Sequence, residues 1–133
     1  MKNSSNLLSI CIPTYNRVND LVKLLKSIDS KFESNIEIII VDDGSTDNTK
    51  KSVEEFSFKS NMHIKYAYQE NMGRSYALHK AILLTKSEYI VIMDSDDLFV
   101  KNGVDTIISK ILPLMGNKNK NNMAGVVFLC SNF

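Results

Sequence analysis

The stretch "YIVIMDSDDLF", from Tyr89 to Phe99, ends an apolar run on Asp94, Asp96 and Asp97, three carboxylates within four residues. Carboxylates this close repel one another and are costly to desolvate, so the cluster persists only where it is solvated or neutralised by a cation. Asp and Ser also favour turns and helix N-caps. On this stretch alone a solvated turn and a divalent-cation site are both open. A cation of the Mg²⁺ or Mn²⁺ type takes one or two carboxylates and fills its remaining positions with phosphate oxygens and water. Three more polar clusters complement such a pair: "PTYN" (Pro13 to Asn16), "DDGS" (Asp42 to Ser45) and "ENMGRS" (Glu70 to Ser75). Asp42 or Asp43 is suited to accept a hydrogen bond from the ring N–H of a uracil-like base, and Tyr15 offers an aromatic surface. Gly73 permits close backbone approach, and Arg74 can meet a phosphate or hold the site's carboxylates. Asn16 and Ser45 read as a helix cap and a turn former.

These clusters need elements to bring them together. Short runs rich in Ile and Val, at Leu7 to Ile12, Ile36 to Val41, Ile64 to Tyr68, Tyr89 to Met93 and Gly125 to Cys130, read as strands. Between them the apolar residues recur at helical spacing: Leu21, Leu24, Leu25 and Ile28; Val53, Phe56 and Phe58; Ala77, Leu78, Ala81, Ile82 and Leu84; Val104, Ile107, Ile108, Ile111 and Leu112. Pro13, the Asp42 to Ser45 turn and Pro113 mark element ends, and "GNKNKNN" from Gly116 to Asn122, with Lys118 and Lys120, reads as a solvated loop. The β-α alternation predicts an α/β fold, Rossmann-like, with a mostly parallel sheet, helices on both faces and strand order 3-2-1-4. In such a sheet all strands end on one edge, and ligands bind where the strand order reverses. The four polar clusters fall on that edge.

Composition narrows the classes. A chain of 133 residues with net charge +1 suits one globular domain over 1–133, or part of a larger one, and it lacks the bulk positive charge of a general nucleic-acid binder. No apolar run approaches the ~20 residues of a membrane span, and "MKNSSNLLSICIP" has too short an apolar core for a signal peptide, so a cytosolic setting is expected. Cys11 and Cys130 lie in apolar runs without ligand spacing and read as small buried hydrophobes. His63 and His79 are isolated, and a surface or partly buried position suits His79.

Taken in order, "LSICIPTYNRVNDLVKLLKSI", "IEIIIVDDGSTDNT" and "NMGRSYALHKAILLTKSEYIVIMDSDD" resemble the successive motifs of family-2 glycosyltransferases of the GT-A fold. The resemblance implies that Asp94-Ser95-Asp96 is the D-x-D element for metal and diphosphate, Asp96 matching the direct metal ligand. It implies that Asp43 contacts the base with Pro13 and Tyr15 beside it, and that the donor is a nucleotide-diphospho-sugar, a UDP-sugar being favoured. The transfer would be inverting, to a hydroxyl of a glycan, a lipid-linked molecule or another acceptor, in a setting such as polysaccharide biosynthesis. Many relatives carry Ala-Arg-Asn where this chain reads Ala77-Leu78-His79; Arg74 is the arginine that can replace it. The family's acceptor-binding half and its acidic base have no counterpart here, so the chain is expected to be a donor-binding half that binds nucleotide weakly and transfers no sugar alone. Association with the inner face of a membrane would come through the missing part. Asp105, in a helical segment, reads as solvated rather than as a base.

Two other classes share features. A phospho-acceptor receiver also has paired aspartates after an apolar strand, but it places them after its first strand, whereas here a strand and helix precede Asp42. A nucleotidyltransferase would show a glycine-rich, basic loop after the first strand, and "PTYNRVN" has neither feature.

Overall fold

The computed structural model describes residues 6–115. Four strands, β1 (Leu8–Thr14), β2 (Ile36–Asp42), β3 (His63–Tyr68) and β4 (Ile90–Ile92), alternate with four helices, α1 (Val18–Ser27), α2 (Thr49–Lys59), α3 (Arg74–Leu83) and α4 (Gly103–Ile111). All pairings are parallel and the sheet order is β3-β2-β1-β4, as the alternation predicts. The fifth expected strand, Cys130 and the Gly116 to Asn122 loop lie outside the described residues.

β1 and β2 are buried along their whole length, which explains why both read as continuous apolar runs rather than alternating ones. In register, Leu8, Ile10 and Ile12 lie opposite Ile36, Ile38 and Ile40. This face forms the larger core with Leu21, Leu24 and Leu25 of α1, Val53 of α2, and Val104, Ile107, Ile108 and Ile111 of α4. The i, i+3, i+4, i+7 spacing in α1 and α4 gives each helix one apolar stripe for this purpose. On the opposite face Cys11, Ile39 and Val41 meet Ala77 and Ala81 of α3. Short alanine side chains let α3 lie close to the sheet, which matters because its first turn enters the site.

Three boundaries differ from expectation. Pro13 does not stop β1; the strand continues to Thr14, with Pro13 opposite Val41. The Ser9 N–H bonds to Tyr89 O and Cys11 O accepts from the Met93 N–H, so odd-numbered positions face β4, which has ended by Pro13. The missing proline N–H therefore costs no ladder bond. Phe58 is 92% exposed: five residues after buried Val53, it falls off the buried stripe. Leu112 lies in a 3-10 turn, Leu112–Leu114, and is exposed rather than part of the α4 face.

Cys11 is buried and free, and burial, with the nearby Glu37 charge, pushes its thiol pKa up to about 12. Glu37 itself is a carboxylate inside the sheet, 3% exposed and opposite Ser9. Its Oε1 accepts from Ser9 Oγ at 2.5 Å, the Lys86 N–H at 2.6 Å and Ser87 Oγ at 3.3 Å. Burial works to raise its pKa, and the hydrogen bonds from Ser9, Lys86 and Ser87 outweigh it, so the carboxyl titrates below its usual value. Glu37 thereby pins the turn that delivers the chain from α3 into β4. Glu37→Ala strands the Ser9 hydroxyl and the Lys86 N–H, with an expected loss of about 1–3 kcal/mol in urea unfolding at pH 7. This carboxylate's contribution is fully present above the ordinary Glu value near 4.3 and is lost as pH falls through the lowered one, so the gap between wild type and variant should narrow on acidification.

Candidate functional site

At the carboxyl edge of the sheet the chain leaves β1, β2 and β3 in loops that are tied to one another. Asn16, at φ +49°, donates its N–H to Ser45 Oγ at 2.8 Å and accepts the Thr46 N–H on Oδ1 at 2.8 Å. It is thus not the expected helix cap; it clasps the β1–α1 loop to the β2–α2 loop, and Ser45 is its partner. Asp47 Oδ2 accepts the Val18 N–H at 3.2 Å across the same junction.

The two aspartates at the end of β2 divide the work. Asp42, 1% exposed, accepts from Tyr66 Oη at 2.6 Å and from the Ser45 N–H at 2.8 Å, and so closes the turn. Burial, then this bond and the charge of Asp42, push the Tyr66 hydroxyl pKa upward. Asp43, 3% exposed, reaches the other way: Oδ1 accepts from Gln69 Nε2 at 2.7 Å and the Met72 N–H at 2.8 Å, and Oδ2 from the Gly73 N–H at 2.9 Å. A carboxylate with about four acceptor directions has one left over, on Oδ2. Gly44, at φ +88°, lets the two segments touch; a Cβ there would lie 2.8 Å from the Asn71 nitrogen. Gly73 has open space where a Cβ would stand, so its requirement is conformational: φ +101° and ψ 158° at the head of α3 belong almost only to glycine.

Held this way, α3 begins with Arg74, whose Nε and Nη2 both donate to Asp94 Oδ1, at 2.7 and 2.5 Å. Arg74 therefore holds a carboxylate, one of its two expected uses. In the acidic turn Ser95 is buried while Asp94 and Asp96 face the cleft, and the Asp97 N–H bonds to Asp94 O at 3.0 Å. Arg17 Nη1 lies 3.4 Å from Asp96 Oδ2.

The result is a cleft of about 510 Å³ lined by Pro13, Tyr15, Asp43, Gly73, Arg74, Asp94 and Asp96 among the residues singled out from sequence. Asp97 is exposed and does not line it. Thr14 and Asn71, members of the polar clusters to which the sequence assigned no individual role, also line the cleft, and so does Arg17, which sequence reasoning missed. Arg17 stands one residue beyond "PTYN", and its signal was a cation at the head of a helix on the ligand edge. The Thr14 hydroxyl is buried and finds no hydrogen-bond partner among the described residues. Asp105 lies away from the cleft; its Oδ1 accepts from Ser30 Oγ at 2.5 Å and the Lys31 N–H at 3.1 Å, so it is a loop anchor rather than a solvated residue.

Burial works to raise the Asp43 pKa, and the bonds from Met72, Gln69 and Gly73 overcome it and hold the carboxyl below its ordinary value. Its stabilisation is full above the ordinary Asp value near 3.9 and is lost as pH falls through the lowered one. Asp43→Asn turns an NH₂ toward a donor. We expect it to be about 1–3 kcal/mol less stable at pH 7 by urea unfolding and to lose less stability than wild type on acidification.

Comparison with known proteins adds to this geometry. Residues 9–116 match the family model described as Glycosyl transferase family 2. The chain is 38% identical over 108 residues to the glycosyltransferase GlyG of Streptococcus pneumoniae, covering 80% of this chain and 36% of GlyG. It is 31% identical over 112 residues to YibD of Escherichia coli, an uncharacterised glycosyltransferase, covering 84% of this chain and 32% of YibD. The chain thus spans about a third of the length of these relatives. Among solved structures, S. aureus TarS in complex with UDP-GlcNAc superposes with TM-score 0.72 at 27% identity, over 80% of this chain and 31% of that one. A mannosyltransferase of Pyrobaculum calidifontis, in complex with GDP-Man and Mn²⁺, shares the fold with TM-score 0.73 at 24% identity, over 83% and 32%. The receiver alternative falls, and with three ordered motifs, a parallel 3-2-1-4 sheet and these matches in agreement, the chain belongs to the family 2 glycosyltransferases.

Proposed function

We propose that the cleft takes the nucleoside diphosphate of a sugar donor, a UDP-sugar by preference, together with Mn²⁺ or Mg²⁺. The observation that carries this reading is the meeting of Asp43 from the end of β2 with Asp94 and Asp96 from the turn after β4, beside two guanidiniums, where the strand order reverses. The UDP-GlcNAc complex of TarS supports a uridine nucleotide as donor for this chain as well.

The donor set suits the metal. Among the described residues no three His, Cys, Asp or Glu side chains gather into a ready-made cage. Asp94 and Asp96 are hard oxygen donors on an accessible turn, which fits an ion that uses one or two carboxylates and draws its other ligands from diphosphate and water. Asp96, with Asp94, would hold it, and Asp97 would stay with the turn. When bound, the ion supplies Lewis-acid stabilisation of the charge that develops on a leaving diphosphate.

The chain's own residues have definable tasks. Asp43 has one free acceptor direction for a base N–H, and the internal bonds that keep it ionised also fix where that direction points. Tyr15, 48% exposed, lines the same cleft together with Pro13 and offers it an aromatic surface. Arg74 orients Asp94. For the whole protein we propose inverting transfer to a hydroxyl of a glycan or lipid-linked acceptor. The general base would lie outside this chain, since the Asp105 carboxylate is committed to Ser30 and Lys31. A nucleotide-sugar donor fits a cytoplasmic setting, at the inner face of a membrane where the acceptor is lipid-linked; among the described residues no helix is long and apolar enough to cross one.

Titrating UDP into wild type and Asp96→Asn, with and without Mn²⁺, tests the reading. Wild type should bind UDP more tightly with Mn²⁺, and the variant should lose that increment while keeping its stability to within about 1 kcal/mol, because it keeps the shape and gives up only a half-exposed ion pair with Arg17. Equal affinities in all four conditions would overturn the metal role.

A further inference from the structure

The two arginines of the cleft are not equivalent. Arg74 closes its fork on one oxygen of Asp94 at 2.5 and 2.7 Å, the range of strong charge-assisted bonds. Arg17 is held less closely among the described residues: Nη1 stands 3.4 Å from Asp96 Oδ2 and 3.7 Å from Asp20 Oδ2, and its side chain is 51% exposed. It occupies the N-cap position of α1, where a guanidinium, having no acceptor, cannot cap the helix N–H groups. A guanidinium with five donors, suspended between two half-exposed carboxylates, is weakly held and easily redirected.

Its neighbour Asp96 is also the carboxylate assigned to the metal. A divalent cation and the Arg17 guanidinium both seek the same oxygens and repel each other, so Asp96 serves one of them well or the other. The conflict disappears when an anion lies between the two cations. We propose that Arg17 is a donor-phosphate residue held in reserve: in the empty cleft it neutralises Asp96, and on donor binding it exchanges that carboxylate for a diphosphate oxygen. This rests on the donor reading given above. Asp20, in the first turn of α1, keeps the guanidinium near the cleft during the exchange. The arrangement couples the two ligands: metal alone meets a competing cation, nucleotide alone meets a guanidinium already engaged, and each improves binding of the other.

The test uses the full chain and calorimetric titrations of wild type, Arg17→Ala and Arg17→Lys with Mn²⁺ alone, with UDP in EDTA and with uridine. Arg17→Ala should bind Mn²⁺ alone several-fold more tightly, bind UDP about tenfold more weakly, and bind uridine as wild type does. Arg17→Lys should fall between, since it restores the charge without the fork. An Arg17→Ala affinity for both Mn²⁺ and UDP within twofold of wild type would overturn the assignment, as would a parallel loss of both, which marks a structural role. A wild type that binds no UDP, with or without Mn²⁺, overturns the donor reading and this inference with it, whereas wild-type binding that is unmoved in the variant overturns the inference alone.

Discussion

The Asp43 carboxylate is the point on which the site depends. Its three hydrogen bonds convert residues 69–73 from a free loop into a fixed approach to α3. Because the last of those donors is the Gly73 N–H, the same bond fixes where α3 begins and therefore where Arg74 stands. Arg74 then fixes Asp94, and Asp94 accepts the Asp97 N–H that closes the acidic turn. A group at the end of β2 thus sets the geometry of a turn after β4, although β1 lies between those strands. Burial of Asp43 costs free energy, and the bonds that offset it are the ones that shape the cleft.

The sheet makes this chain of contacts reproducible. β1 and β2 are enclosed on both faces, so a slip of register would exchange the residues of the two cores. The cores are unlike: one packs leucines and isoleucines of α1 and α4, the other receives alanines of α3. Glu37 adds a polar check at the opposite edge, since Ser9 and Lys86 reach it together only in this register. The site can then be irregular at the ligand edge, with Asn16, Gly44 and Gly73 at positive φ, because the layer beneath has one arrangement.

Much of this is legible in the sequence because it is encoded locally. Four strands and four helices follow from apolar periodicity, and their alternation leads to the observed strand order. What escaped depends on partners distant in the chain. Pro13 looked like a terminator because its missing N–H is a local fact, whereas the early end of β4 that excuses it lies about eighty residues away. Phe58 entered the helical stripe because an exposed phenylalanine carries no mark of exposure. Asp105 and Asn16 look like ordinary polar residues until Ser30 and Thr46 are beside them. Arg17 had a signal, a cation at the head of α1, but its closeness to Asp96 across 79 positions is a property of the fold alone.

Cys11 sits at the middle of β1, hydrogen-bonded through its carbonyl to the Met93 N–H and covered by α3. With its thiol pKa pushed up to about 12, it presents neither access nor thiolate to an alkylating reagent while the sheet is closed. It becomes reactive only when the central strand is uncovered. The rate at which this thiol is captured is therefore a clock built into the chain, counting how often β1 parts from α3, and the effect of any nucleotide on that rate would report how firmly the ligand edge is joined to the centre of the fold.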